Sequence, residues 1–594
     1  MLSRRSALGI SVAAVTGLGA AVLGAPAQAV PRRGGGRDVA VFGGGMAGLA
    51  AAHELIERGY RVTVYEPAFL GGKARSLPVP GTGSGGRLDL PGEHGFRFFP
   101  GCYQHVPDTM ARIPLADRGN VKDSHLVAID SLMVAFDSPD YAPVLLPGGI
   151  QNLVEHPDML ATAQNFQNAV ATVFHGMRDI PTAEVTYFAS RIAVMATSCR
   201  ERRLGQWENQ SWMEFVGAEG KSERYRLLSH AATRTTIAAK ADTVSARTVG
   251  QIGVALLTAS TGLIPQYSGN PITGGADRVL NLPTNEAWID PWVTYLRSRG
   301  VSFVMGCGLR ALHVRDGLIA SASMTAAGDA TSEVTADWYV VAIPLDRLKL
   351  LLDAALLDAA PSLEGIRHLD DDWMAGMQFF LGREPELPSG HIAILGSPWA
   401  LTAIFQSSSW QVDFAARYGD GSVRECLSVD ISAWDAPGIL FGRTAKECSR
   451  EEIAKEVWEQ LRRGLNRGGA QIIRDADLLR WHLDPGITWT SDGIGNATPL
   501  LVNHAGSYRH RPDAATEIPN LFLGGDHVRT NIDLATMEGA NESGRRAANA
   551  VLDAAGDPSP RVPIYPLWEA PALEPLQQLD RDRYRAGLPH ILDR

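Results

Sequence analysis

Val39-Ala40-Val41-Phe42-Gly43-Gly44-Gly45-Met46-Ala47-Gly48 is a short apolar run that breaks into glycines. Its first four residues read as a buried parallel strand. Leu49 to Arg58 is Ala-rich with Leu and Ile at helical spacing, Gly59 ends it, and Arg61-Val62-Thr63-Val64-Tyr65 reads as a second strand closing on Glu66. Strand, glycine turn, helix and strand in that order predict a dinucleotide-binding unit. Gly43 makes the tight turn, Gly45 admits a pyrophosphate close to the backbone, and Gly48 lets the helix pack on the strand. Met46 and Ala47 open that helix, whose unpaired N–H groups face the phosphates. Glu66, about 20 residues on, accepts hydrogen bonds from the adenosine ribose; an acid there disfavours a 2′-phosphate. FAD and NAD both remain open at this point.

The 594 residues are 45% hydrophobic and 20% charged, enough for two joined domains and a large core. A net charge of -10 gives no general attraction to phosphate backbones or anionic lipid, so no nucleic-acid partner is expected. Cys102, Cys199, Cys307, Cys426 and Cys448 are scattered without a CxxC pair or Cys/His cluster, so no metal site and no disulfide framework are expected. At the N-terminus, Ser3-Arg4-Arg5-Ser6-Ala7-Leu8 precedes a mildly apolar run from Gly9 to Gly24 and a small-x-small site at Ala27-Gln28-Ala29. Residues 1–29 resemble a twin-arginine signal, which implies passage through the Tat translocase and a secreted, periplasmic or cell-surface protein. An uncleaved anchor is the alternative.

Three further blocks separate FAD from NAD. Gly71-Gly72-Lys73-Ala74-Arg75-Ser76 resembles the GGRxxS motif of the flavin amine oxidase and phytoene desaturase superfamily, with Lys73 where an Arg is usual. The resemblance implies that Gly72, Lys73, Ala74 and Arg75 extend the phosphate cradle. Glu93-His94-Gly95-Phe96-Arg97-Phe98-Phe99-Pro100-Gly101-Cys102-Tyr103 resembles a desaturase stretch that lies beside the flavin ring, which places Gly95 and Phe96 at the cofactor. Asn520-Leu521-Phe522-Leu523-Gly524-Gly525-Asp526 reads as a strand entering a Gly-Asp turn. By the resemblance, Gly525 and Asp526 meet the ribityl chain, and Thr536-Met537-Glu538 open a helix whose positive end faces the flavin C2 carbonyl. Leu309 is expected on the adenine side. Blocks this far apart make sense together only around one FAD.

The implied fold class is α/β: a Rossmann-type, GR2-like FAD-binding domain with a discontinuous α+β substrate domain. The cofactor domain is expected at residues 36–116, 270–345 and 486–556, and the substrate domain at 117–269, largely helical, and 346–485. In the latter, Met377 to Leu381, Ile392 to Leu395 and Leu427 to Ile431 read as strands and Glu451 to Arg462 as an amphipathic helix. Residues 557–594 form a Pro-rich extension whose Trp568 and Tyr584 favour packing.

Asn285-Glu286-Ala287-Trp288, Asp290-Pro291-Trp292, Ser397-Pro398-Trp399 and Arg529-Thr530-Asn531-Ile532-Asp533 resemble bacterial phytoene desaturase and hydroxysqualene dehydroxylase relatives. In amine oxidases of the superfamily a lysine on a substrate-domain strand holds water against flavin N5. The matching strand here, Trp373 to Leu381, has none. The expected chemistry is hydride removal from a C–H of an apolar, isoprenoid-like substrate to flavin N5, with dioxygen or a quinone as final acceptor. His94, Arg97, Phe98, Tyr103 and Asn531 are expected at the reacting face, His94 or Arg97 managing a proton. Trp288, Trp292, Trp399 and Trp410 are mostly expected as core. Two alternatives stand beside this: an amine or amino-acid oxidase releasing hydrogen peroxide, and a protein that holds FAD without turnover.

Overall fold

A computed structural model describes residues 36–593 other than 96, 117–118, 130, 138–142, 148–179, 238, 260–276, 327–329, 388–389, 468–469 and 492. The proposed signal and Phe96 therefore lie outside the described residues.

Strand β1 (Asp38–Phe42), helix α1 (Met46–Glu57) and strand β2 (Arg61–Glu66) follow one another as the sequence predicts. They sit in a five-stranded parallel sheet whose order is Leu521–Leu523, Trp338–Val341, β1, β2, Ser302–Met305. Three distant parts of the chain thus build one sheet. Val41 stands between Val340 and Val64, and all three are fully buried, as the continuous apolar runs of a doubly covered parallel sheet require. The helix Met537–Ala554 crosses α1 so closely that a Cβ on Gly544 would stand 2.2 Å from the Ala47 carbonyl oxygen. A three-stranded antiparallel sheet, Cys307–Arg315, Leu318–Ala326 and Thr331–Val334, hangs beside it, turned by Asp316 and Gly317 at positive φ.

The second lobe is a seven-stranded mixed sheet in the order Leu478–Leu483, Ala375–Leu381, Glu425–Ile431, Leu401–Phe405, His391–Leu395, Ser131–Phe136, Val144–Pro147. The helix Arg450–Leu465 covers one face. A Ser449/Glu452 capping box fixes its start, and Ile453, Val457, Trp458 and Leu461 pack against Met377, Phe379 and Leu381. Within residues 117–269, expected to be largely helical, the strands Ser131–Phe136 and Val144–Pro147 complete this sheet. The hairpin's edge position leaves Leu132 and Leu145 exposed, which weakens the apolar alternation that marks a strand. The helices Thr182–Thr197, Glu223–Ile237 and Ala246–Ala259 form the rest of that segment.

The C-terminal extension packs. Its helix Glu574–Arg585 places Asp580 in a fully buried pair with Arg202 at 2.8 Å, and Asp580 also accepts the Cys199 N–H at 2.9 Å. Trp288 and Trp292 stack in the cofactor-domain core, Trp399 lies in the substrate-sheet core and Trp410 in a smaller cluster, so these tryptophans form no substrate wall.

Candidate functional site

The site begins at the turn after β1. Gly43 has φ +104°, and a Cβ there would lie 2.2 Å from the Ala342 carbonyl oxygen; on Gly48 it would lie 1.9 Å from the Gly43 oxygen. The helix N-terminus that follows is buried and has no side-chain cap. Buried N–H groups left without a partner are costly, so this end is built for an anion. The second glycine block closes over the first: the Gly71 N–H donates to the Gly44 oxygen at 2.8 Å, and Gly45 bridges Gly71. A Cβ on Gly72 would stand 2.9 Å from the Gly45 Cα.

Charge is arranged around this cradle. Lys73 donates to the Pro499 oxygen and stands 4.0 Å from Asp526, which joins the early glycine block to the late Gly-Asp turn. Arg75 lies against the ring of Phe69 and donates to the Gly72 oxygen, while its buried Nε has no partner. The buried Nε of Arg97 has none either, among the described residues. Burial depresses both guanidinium groups, which leaves two desolvated cations suited to an anionic ligand. Glu66 accepts the Gly44 N–H at 2.8 Å and the Ala68 N–H at 2.9 Å. A carboxylate has about four acceptor positions, so capacity for ribose hydroxyls remains. The Gly306 N–H donates to the Glu66 main-chain carbonyl oxygen at 2.8 Å, which brings the turn before Leu309 to the same end. These residues fit an adenine dinucleotide. Glu66→Ala is expected to raise the Kd for FAD by about 10- to 100-fold, read by flavin fluorescence on titration of the apoprotein.

At the other end, the Glu93–Tyr103 stretch meets the Met537–Ala554 helix. Arg97 reaches the Met537 sulfur at 3.8 Å, and Tyr103 hydrogen-bonds Thr536. Thr536 caps the helix by accepting the Gly539 N–H at 3.0 Å. On the opposite side the stretch rests on the substrate sheet: Gln378 donates to the Glu93 oxygen at 2.7 Å, and a Cβ on Gly376 would lie 2.3 Å from the His94 oxygen. His94 Nδ1 is 2.7 Å from Asp484 Oδ2. Phe98 packs edge-on against His391 at 5.3 Å.

Two expected site residues turn elsewhere. The Glu538 carboxylate accepts the N–H groups of Gln104 and His105 at 2.7 Å and of Val106 at 2.9 Å, so it caps the helix His105–Ala111. Asn531 donates its side-chain amide to the Tyr565 oxygen at 2.7 Å and so binds the C-terminal extension instead of the reacting face. The Asn531 backbone is committed as well, its N–H to Glu542 at 2.9 Å and its carbonyl oxygen to Gln251 at 2.7 Å.

Sequence reasoning missed Asp484, Gln378 and His527. Asp484-Pro485-Gly486 shows only a turn signal, and the carboxylate's partner lies 390 residues away. His527, beside Asp526, is fully buried with neither ring nitrogen hydrogen-bonded. Burial lowers it to about 4, Arg511 and Lys73 push the same way, and Asp526 opposes. A histidine depressed in the folded state stabilises above its unfolded value near 6.5, and that contribution is lost as pH falls toward 4. Wild type is expected to lose about 3 kcal/mol through this group over that window, and His527→Gln to lack that component in urea titrations.

The flavin-containing amine oxidoreductase family model matches residues 46–552. Relatives include the zeta-carotene desaturase of Arabidopsis thaliana, 23% identical over 89% of this chain and 88% of that one. The 15-cis-phytoene desaturase of Synechococcus elongatus is 24% identical over 86% and 95%, and the carotenoid phi-ring synthase of Streptomyces griseus 25% identical over 93% and 94%. Among solved structures, putrescine oxidase bound to putrescine shares the fold with a TM-score of 0.55 at 14% identity, covering 87% of this chain and 99% of that one. The fingerprint, the closed double-glycine cradle and a family match spanning both lobes lead to one conclusion: the chain belongs to the flavin-containing amine oxidoreductase family, as an FAD-dependent oxidoreductase related to carotenoid desaturases.

Proposed function

We propose that this enzyme removes a hydride from a C–H bond of an apolar, isoprenoid-like substrate to flavin N5 and leaves a new double bond. The observation that carries the reading is the strand Ala375–Leu381. It presents Gly376 and Gln378, not a lysine, to the Glu93–Arg97 segment, and the close approach at Gly376 leaves no room for a longer side chain. The water-holding lysine that the superfamily resemblance associates with amine oxidation therefore has no counterpart on this strand. The desaturase relatives support the same direction.

When bound, FAD supplies the two-electron acceptor. The chain supplies the rest. Gly45, Gly72 and Arg75 would hold the pyrophosphate, Glu66 the adenosine ribose and Asp526 the ribityl chain, with Gly48 letting α1 pack on β1. Half-buried His94 and Arg97 and buried Tyr103 would line the reacting face, where desolvation strengthens the action of polar groups. Dioxygen or a quinone takes the electrons onward. The twin-arginine leader supports export of the folded, cofactor-loaded protein.

Anaerobic flavin bleaching tests the reading. Phytoene or squalene in phosphatidylcholine liposomes is expected to bleach the yellow holoenzyme, and a panel of amines and amino acids is expected to leave it oxidised. Export favours a second reading, an oxidase of polar amines; rapid peroxide release with any member of that panel establishes it and sinks the first.

A further inference from the structure

We propose that Asp484 is a positioning residue that fixes His94 with its ring proton on Nδ1, so that the bare Nε2 accepts the proton lost as the new double bond forms. The inference rests on the hydride-abstraction reading above and assigns its proton.

Of the five residues expected at the reacting face, Phe98 has no polar group, and chemistry separates the other four. The Arg97 guanidinium carries only donors. Burial pushes the Tyr103 phenol well up, and Thr536 opposes this without overcoming it, so the phenol keeps its proton. Asn531 is committed to Tyr565. His94 alone has a lone pair to offer. Its Nε2 has no hydrogen-bond partner among the described residues and is not among the sealed, unpartnered buried atoms.

The His94 main chain is held from both sides. Its backbone N–H donates to the Arg75 carbonyl oxygen at 3.1 Å, and the missing Cβ of Gly376 lets the His94 carbonyl approach the substrate sheet. Asp484 is anchored in turn: its Oδ1 accepts the Gly486 N–H at 2.7 Å, and its own N–H donates to the Gly376 oxygen at 3.0 Å. Strand and ring are thus tied at one residue.

The electrostatics settle which nitrogen carries hydrogen. Burial pushes the Asp484 carboxyl up, but the His94 hydrogen bond and charge, the Gly486 amide and Arg75 outweigh it and hold it below the ordinary range. An ionised carboxylate only accepts, so the hydrogen between the two groups sits on Nδ1. Burial depresses His94, and Arg75 and Arg97 push the same way against Asp484, so the ring is neutral near pH 7. Asp430, against Gly95, and His482, next but one to Asp484, are the other titratable groups around it. A neutral ring protonated on Nδ1 has a free lone pair on Nε2, and Asp484 stabilises the imidazolium once that nitrogen takes a proton. In the step, the C–H bond next to the hydride-donating carbon breaks, its electron pair becomes the π bond, and its proton forms the Nε2–H bond. The hydride leaves with its two electrons to FAD, the oxidant.

The test uses FAD-loaded protein labelled with 15N-histidine, with His94 assigned by its loss in His94→Gln. Long-range 15N–1H correlation spectra at pH 7.5 are expected to show His94 protonated at Nδ1 and bare at Nε2, and Asp484→Asn to move the proton to Nε2. A proton on Nε2 in wild type, or an unchanged pattern in Asp484→Asn, overturns the proposal. In anaerobic stopped flow with phytoene liposomes, His94→Gln and Asp484→Asn are each expected to bleach about 100-fold or more slowly with little change in KM. The rising acid limb of the pH profile should vanish in His94→Gln. Wild-type rates in either variant remove His94 from the proton step. Should phytoene leave wild type oxidised, the substrate reading fails by itself, and the tautomer seen by NMR still decides the pair.

Discussion

Gly48→Val protein is expected to emerge colourless, with a flavin-to-protein absorbance ratio near zero and a broad, lowered melting transition. A Cβ at this position would stand 1.9 Å from the Gly43 oxygen and 3.0 Å from its carbonyl carbon, both backbone atoms that cannot rotate away. The whole of α1 must lift from β1. Overpacking a well-filled core costs about 1–3 kcal/mol on its own. The larger effect is on the ligand, because lifting α1 moves the N–H groups that meet the pyrophosphate and displaces the crossing at Gly544. An FAD affinity at least about 100-fold weaker is expected, since geometry that slips by an ångström forfeits several charge-assisted hydrogen bonds. Wild-type flavin content after purification without added FAD would refute this account of the turn.

The second large effect is expected at Asp533. This carboxylate is 1% exposed and pairs with Arg247 and Arg511, and Arg247 continues to Glu208 at 2.9 Å. Arg511 also holds the carbonyl oxygens of Asp526, His527 and Val528, the turn that carries the ribityl-side acid. Asp533 has φ +48°, a left-handed conformation that Asn accepts nearly as well as Asp. Asp533→Asn therefore removes the charge and leaves the backbone conformation in place. The buried Arg511 guanidinium then loses its counter-charge and Arg247 is left with Glu208, which costs about 3–5 kcal/mol. Urea unfolding followed by tryptophan fluorescence should show that loss, with FAD released at lower denaturant than in wild type. A change below about 1 kcal/mol would mean that water reaches the cluster and screens it.

How far the chain can be read without coordinates depends on how local each signal is. The unit from β1 to Glu66 is legible because every role in it is set by residues within about 20 positions. The Gly71–Ser76 and Asn520–Asp526 blocks are legible as motifs, but that Lys73 meets Asp526 is visible only in three dimensions. The side chains of Glu538 and Asn531 were read by their neighbours in sequence. Their actual partners, Gln104 to Val106 and Tyr565, come from elements that a motif does not contain. Asp484 fails the same way: nothing within its own segment marks it as the partner of His94. The strands Ser131–Phe136 and Val144–Pro147 were missed because Val144–Pro147 is the sheet edge and the hairpin leaves Leu132 and Leu145 exposed, which relaxes the alternation on which a reading of period depends.

The parallel sheet has a consequence for biosynthesis. Its strand Leu521–Leu523 pairs with Trp338–Val341, which pairs with β1. On a ribosome adding about 5–20 residues per second, β1 waits roughly half a minute or longer for the sheet to be completed. From the synthesis of Val341 to that of Leu521, about 9–36 s at that rate, Trp338–Val341 is an unprotected, largely apolar edge open to pairing with another nascent chain. A message truncated before codon 521 would yield a product with that edge permanently open.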